Sequence, residues 1–234
     1  MGTAESTLAR ELLRQLGGRF STEMGIDVDA GDAEIERWFL AATLFGTRIS
    51  TSIVERTAGV LFDAGIRSIA DVEALGWHHL VELLDSGGYV RYDYRTADRL
   101  LELARRVEAR EDGGVATLGR TLTEPAQLME ALDALPGWGP TTVGVFLREL
   151  RGVWPGAEPP LDARTLEAAR HLQLLASGTS EGARAEDLAT IAADAGVDRR
   201  DLECALVRCT LAHRRHAEPC PGGPRCVLLD HPSS

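Results

Sequence analysis

Apolar residues in this chain return every three or four positions almost from end to end, and nowhere do they alternate with polar ones for long. In "YRTADRLLELARRVEAR", Leu100, Leu103, Ala104 and Val107 fall on one face of a helix. Comparable spacing runs through "TLARELLRQL", "EPAQLMEALDAL", "DARTLEAARHLQLLA", "AEDLATIAADAG" and "RRDLECALVRCTLAHRR". A pattern with helical period cannot turn its apolar face to a core as a strand, so the chain is expected to be all-α. Glycine and proline sit between these segments as punctuation. "EIERWFLAATLFGTRISTSIVERTAGVLFDAG" reads as two helices broken near Gly46, with Trp38 toward the core. "SIADVEALG" opens on a serine cap, Ser68.

With 234 residues, 44% of them hydrophobic, the chain can bury a substantial core as one large domain or two small ones. The looser stretch "GVWPGAEPPL", with Pro155, Pro159 and Pro160, reads as a crossover between two helical halves. The expected division is residues 34–151 as one subdomain and residues 1–33 plus 152–234 as the other. The first residues lack an apolar signal core, and no apolar run approaches the roughly 20 residues of a membrane span, which predicts a cytoplasmic protein.

The net charge of -11 argues against a non-specific nucleic-acid binder, although it leaves room for local basic patches. Two such patches are candidates for a phosphate track, Arg91 to Arg110 and Arg199 to Arg225. A solvated helix face explains the first about as well. All 25 basic residues are arginine. With no lysine in the chain, no chemical step can use a lysine side chain.

The stretch "ALPGWGPTTV" stands between two helical segments. Gly137 can end the first helix in a left-handed turn. Gly139 can let the backbone double back, and Pro140 can open the next helix at the position where a missing N–H costs nothing. The product is helix, tight hairpin, helix. The second helix then offers backbone N–H groups and a positive dipole end to a phosphate, with the Thr141 and Thr142 hydroxyls beside them. Such contacts position a duplex without reading its sequence. An ordinary hairpin between core helices is the competing reading. Trp138, at the tip, is either packed back or offered to a partner. Further on, Asp162 in "PPLDARTLEAARHL" is a good N-cap for the helix that follows, and a carboxylate held at a helix start is rigid and ionised.

"LPGWGPTT" followed by "LDARTLEAARHL" resembles the helix-hairpin-helix, Gly/Pro-rich, Asp superfamily of DNA glycosylases, in particular its endonuclease III-like branch. Leu135, Pro136, Gly137, Gly139 and Thr142 match its hairpin motif, and Asp162 falls on its aspartate. The loop between them is a few residues longer than is usual there. The resemblance implies two helical subdomains flanking a DNA-binding groove. It also implies a hairpin docked on one strand of damaged double-stranded DNA, with a monovalent cation at the hairpin carbonyls. Gly137, Trp138, Gly139, Thr141 and Thr142 would be the DNA-binding positions and Asp162 the catalytic residue of base excision repair. A monomer associated with the nucleoid is expected.

Departures from the family pattern sharpen the expectation. Thr141 stands at the family's lysine position. Threonine cannot form the Schiff base that leads to strand cleavage, and arginine, always protonated, cannot replace it. The expected activity is therefore monofunctional hydrolysis of the base–sugar bond, with Asp162 stabilising the cationic transition state and orienting water. By resemblance, members without lysine or cluster point to alkylated purines. Ala41 lies about where the adenine-excising branch carries a glutamate, which counts against that substrate. The alternative is a non-catalytic helix-hairpin-helix DNA-binding protein.

Cys204, Cys209, Cys220 and Cys226 are separated by four, ten and five residues. "CPGGPRC" resembles only part of the family's iron–sulfur loop, and a cluster needs four thiolates, so no cluster and no metal are expected. A zinc site drawn from His213 or His216 with Cys209, Cys220 and Cys226 fits no standard spacing. Cys204 and Cys209 read as core thiols. For stacking on a flipped base or filling its gap, Phe45, Arg48, Tyr92 and Tyr94 are the candidates. One buried tyrosine and two on the surface is the competing reading of "GGYVRYDYR".

Overall fold

The computed structural model describes residues 3–46, 49–109, 114–175, 180–215 and 226. It is all-helical, with no strand among the described residues. The helices are α1 (Thr3–Leu16), α2 (Phe20–Glu23), α3 (Asp32–Leu44), α4 (Thr51–Asp63), α5 (Ile69–Leu75), α6 (Trp77–Gly87) and α7 (Asp93–Glu108). They continue as α8 (Val115–Thr121), α9 (Pro125–Asp133), α10 (Pro140–Glu149), α11 (Ala163–His171), α12 (Glu181–Ala195) and α13 (Arg199–Arg215). None of them is long and apolar enough to cross a membrane.

The chain divides into two compact units, residues 1–20 with 160–234, and residues 21–159. The division falls at other positions than the expected one. Residues 21–33 and 152–159 go with the larger unit, and local contacts explain why. The Ser21 N–H donates to the buried Glu149 carboxylate at 2.9 Å, and Ile26 and Val28 are buried. Trp154, past the end of α10, packs edge-on against Phe146 at 5.5 Å between ring centroids.

In the larger unit, α3 carries Trp38, Phe39 and Leu40 into the core, and Trp38 Nε1–H donates to the Phe146 carbonyl at 3.2 Å. The face predicted on α7 is buried at Leu100, Leu103, Ala104 and Val107. Ser68 caps α5 in a reciprocal capping box with Asp71. In the smaller unit, α1 packs on α12 and α13, and α11 packs on α13. Its core is aliphatic, built around Leu12, Leu172, Leu188, Leu202 and Leu206, with Cys209 and Cys226 among them.

At Gly119 on α8, close approach excludes any side chain: a Cβ there would lie 1.9 Å from the Trp154 ring. Alanine is the better helix former by about 1 kcal/mol. Overpacking against a buried indole costs about 1–3 kcal/mol or more, so the clash wins. Gly119→Ala is expected to lower stability, read as a lower urea midpoint with an unchanged slope.

Candidate nucleic-acid interface and candidate catalytic residue

The stretch singled out in the sequence forms a turn between α9 and α10. The Trp138 N–H donates to the Leu135 carbonyl at 3.0 Å, and Gly137 has φ +77°, the left-handed region that glycine enters without strain. Pro140 is the first residue of α10, and no side chain caps that helix. Gly139 is different from the expectation. Its φ of -166° and ψ of 176° are extended backbone, which any residue adopts, and a Cβ there would meet nothing within 4 Å. Of the two glycines only Gly137 takes the left-handed conformation that the turn uses.

Trp138 is packed back. Only 8% of it is exposed, its Nε1–H donates to Thr43 Oγ1 at 3.1 Å, and its ring stacks on Phe39 at 4.5 Å and meets Phe146 edge-on at 5.3 Å. Its indole is thus a core group, with its one N–H satisfied inside the fold. Thr142 is likewise buried, and Thr141 is exposed. At the N-terminus of α10 the Thr141 hydroxyl is therefore the outward one.

Three segments meet at the turn. A Cβ on Gly46, just past α3, would lie 3.2 Å from the Gly137 carbonyl, 3.3 Å from Thr142 Oγ1 and 3.1 Å from an Arg99 guanidinium nitrogen. Arg99 lies so close that a Cβ on Gly137 would be 2.5 Å from its Nε. Arg99 Nε is buried with no hydrogen-bond partner among the described residues. Burial pushes the guanidinium's pKa below its ordinary value, with neighbouring Arg95 pushing the same way and Tyr89 opposing. Arg99 lies in the first basic patch, but the sequence did not single it out from the other arginines there. Its neighbours on α7 read as one amphipathic helix, and nothing in that period shows which polar residue faces the turn.

Phe45 caps the end of α3, half-buried, edge-on to Trp38 at 6.3 Å. Arg48 lies outside the described residues. Tyr89 is the buried tyrosine, its hydroxyl donating to the Leu44 carbonyl. Tyr92 is half-buried with the Arg91 guanidinium over its ring at 5.7 Å. Tyr94 is 61% exposed and stacks on Trp77 at 5.4 Å, close in sequence to Val90, 67% exposed. Of these candidates Tyr94 presents the most open aromatic face.

In the smaller unit, Asp162 is the N-cap of α11. Its Oδ1 accepts from the Arg164 N–H at 2.6 Å, and its Oδ2 is 3.7 Å from the Arg164 guanidinium. The side chain is 21% exposed. Oδ2 thus pairs by charge without a short hydrogen bond and retains lone pairs toward water.

No protein-family model matches this chain, and no curated protein sequence matches it. The resemblance therefore rests on the motif residues alone.

Among the described residues, the arginines of the second basic patch are engaged internally. Arg199 pairs with Glu203 at 2.7 Å, Arg200 with Asp198 at 2.6 Å and Arg214 with Glu167 at 2.6 Å. Arg208 donates to the Gly18 carbonyl and lies over the Phe20 ring at 4.0 Å. Neutralised arginines of this kind make a poor phosphate track.

Trp138→Ala is expected to cost about 3–5 kcal/mol in urea unfolding, the range for emptying a buried aromatic site. A surface contact residue would instead change stability by less than about 0.5 kcal/mol, and that outcome would return Trp138 to the interface.

Proposed function

We propose that this protein is a monofunctional DNA glycosylase of base excision repair, acting on double-stranded DNA with a damaged base. The observation that carries the reading is the turn at Gly137 leading into an uncapped α10, with exposed Thr141 and half-buried Arg99 beside it. Backbone N–H groups at a helix start, a hydroxyl and a guanidinium are the donor set that holds a phosphate without net positive charge elsewhere. Together with Asp162 they complete the pair of motifs that the glycosylase resemblance requires. A monovalent cation at the hairpin carbonyls, action as a monomer and association with the nucleoid belong to the same reading.

In the proposed reaction the N-glycosidic bond breaks and its electron pair leaves with the base. Positive charge develops on the sugar, a water oxygen bonds to the sugar carbon, and the water's proton passes to the Asp162 carboxylate and from there to solvent. Asp162, as a carboxylate, stabilises that charge and orients the water through Oδ2. Alkylated purines are the proposed substrate class, since their cationic bases leave readily. No iron–sulfur cluster takes part. With threonine at position 141 and no lysine in the chain, the product is an intact strand with an abasic site.

The second reading, a non-catalytic DNA-binding protein, is favoured by one observation: capping and the Arg164 ion pair already give Asp162 a structural task. Asp162→Asn separates the two, because asparagine caps as well as aspartate. The variant is expected to fold and to bind duplex as the parent does. Base release on a panel of lesion duplexes should fall at least about tenfold, equal to about 1.4 kcal/mol of transition-state stabilisation. Nicks should appear only after alkali. Equal excision by both proteins would reduce Asp162 to a cap, and binding without excision by either would establish the second reading.

A further inference from the structure

The smaller unit holds a side-chain cluster that the proposed reaction leaves unused. His171, in the last turn of α11, His213, near the end of α13, and the buried Cys226 bring their donor atoms within 4.8 Å of one another. His213 Nε2 is 3.3 Å from Cys226 Sγ. In a tetrahedral zinc site, with Zn–S of about 2.3 Å and Zn–N of about 2.0–2.1 Å, the corresponding S···N edge is about 3.5 Å. The two imidazoles meet edge-on with centroids 4.6 Å apart.

The protonation pattern suits ligation. His213 Nδ1 is 2.7 Å from the Cys209 carbonyl, which can only accept, so the ring proton sits on Nδ1. The Nε2 lone pair is thereby turned toward Cys226. A carbonyl holding the second nitrogen of a ligating histidine is the usual support for a metal-bound imidazole. His171 Nε2 is buried with no hydrogen-bond partner among the described residues. Leaving such a nitrogen dry and unmatched is costly, and a cation between it and the other two donors would remove the cost.

We propose that His171 Nε2, His213 Nε2 and Cys226 Sγ form a mononuclear metal site of the zinc class. Two imidazoles and one thiolate are a borderline-soft donor set, suited to Zn²⁺ and unsuited to Mg²⁺ or Ca²⁺. One thiol in three donors also fails to meet the four-thiolate requirement of an iron–sulfur cluster. Binding takes the thiol proton: Zn²⁺ replaces H⁺ on Sγ, and the proton goes to solvent. The site ties Cys226 to the ends of α11 and α13. Since α11 spans nine residues from Ala163 to His171, the metal and the Asp162 cap hold opposite ends of one helix. The inference stands whether or not the protein excises bases. Of the zinc ligands that the sequence offered, His213 and Cys226 come together, His171 joins them from elsewhere in the chain, and His216 and Cys220 lie outside the described residues.

The test uses the full chain, purified and analysed by elemental mass spectrometry, then stripped with a chelator and titrated with Zn²⁺ against a chromophoric competitor. One zinc per chain is expected. Co²⁺ should give a thiolate-to-cobalt charge-transfer band and the strong d–d bands of a tetrahedral site. His171→Ala, His213→Ala and Cys226→Ser should each weaken zinc binding at least about tenfold, and Cys204→Ser should bind as the parent does. The parent's cobalt spectrum decides the matter even if a variant does not fold. No charge-transfer band, no zinc retained against the competitor, unchanged affinity in Cys226→Ser, or a brown protein with labile sulfide would each overturn the site.

Discussion

Trp138 is the group on which the candidate interface depends. Its indole is stacked on Phe39 of α3, edge-on to Phe146 of α10, and hydrogen-bonded to Thr43. A turn whose tip is sewn into the core in this way has a set geometry, because the aromatic contacts and the single N–H fix both position and rotation of the ring. The left-handed Gly137 and the start of α10 follow from it. Gly46 and Arg99 approach the same turn at Gly137. A residue placed at the tip of a hairpin motif thus contributes by rigidity.

Charge has been arranged with similar economy. The chain is strongly acidic, yet the candidate interface needs only N–H dipoles, one hydroxyl and one guanidinium. Elsewhere arginines are matched to carboxylates within their own unit, as at Arg200 with Asp198, where hydrogen bonds from Arg200 overcome burial and hold the acid's pKa below its ordinary value. Arg99, like Arg37 and Arg164, keeps a buried Nε with no hydrogen-bond partner among the described residues.

Much was legible in the amino-acid sequence. The helical period exposed the buried face of α7, and residue type at helix ends marked the serine cap of α5, the break near Gly46 and the capping role of Asp162, because each depends on neighbours within one or two turns. Gly139 was misjudged because glycine advertises conformational freedom without saying whether the backbone uses it. The unit boundary moved for another reason. Ser21 is held by Glu149, and Gly119 receives the Trp154 ring, and both are contacts between segments distant in the chain.

The amino-acid sequence by itself determined the all-α class, the turn chemistry at Gly137 and Pro140, and the exclusion of lysine chemistry, since local periodicity and composition carry these outright. Only tertiary structure decided that Trp138 faces inward and that Arg99 reaches the turn. It alone brought His171 to His213 and Cys226. A helical period tells which residues share a face; what that face meets depends on packing against helices remote in sequence, which no local pattern encodes.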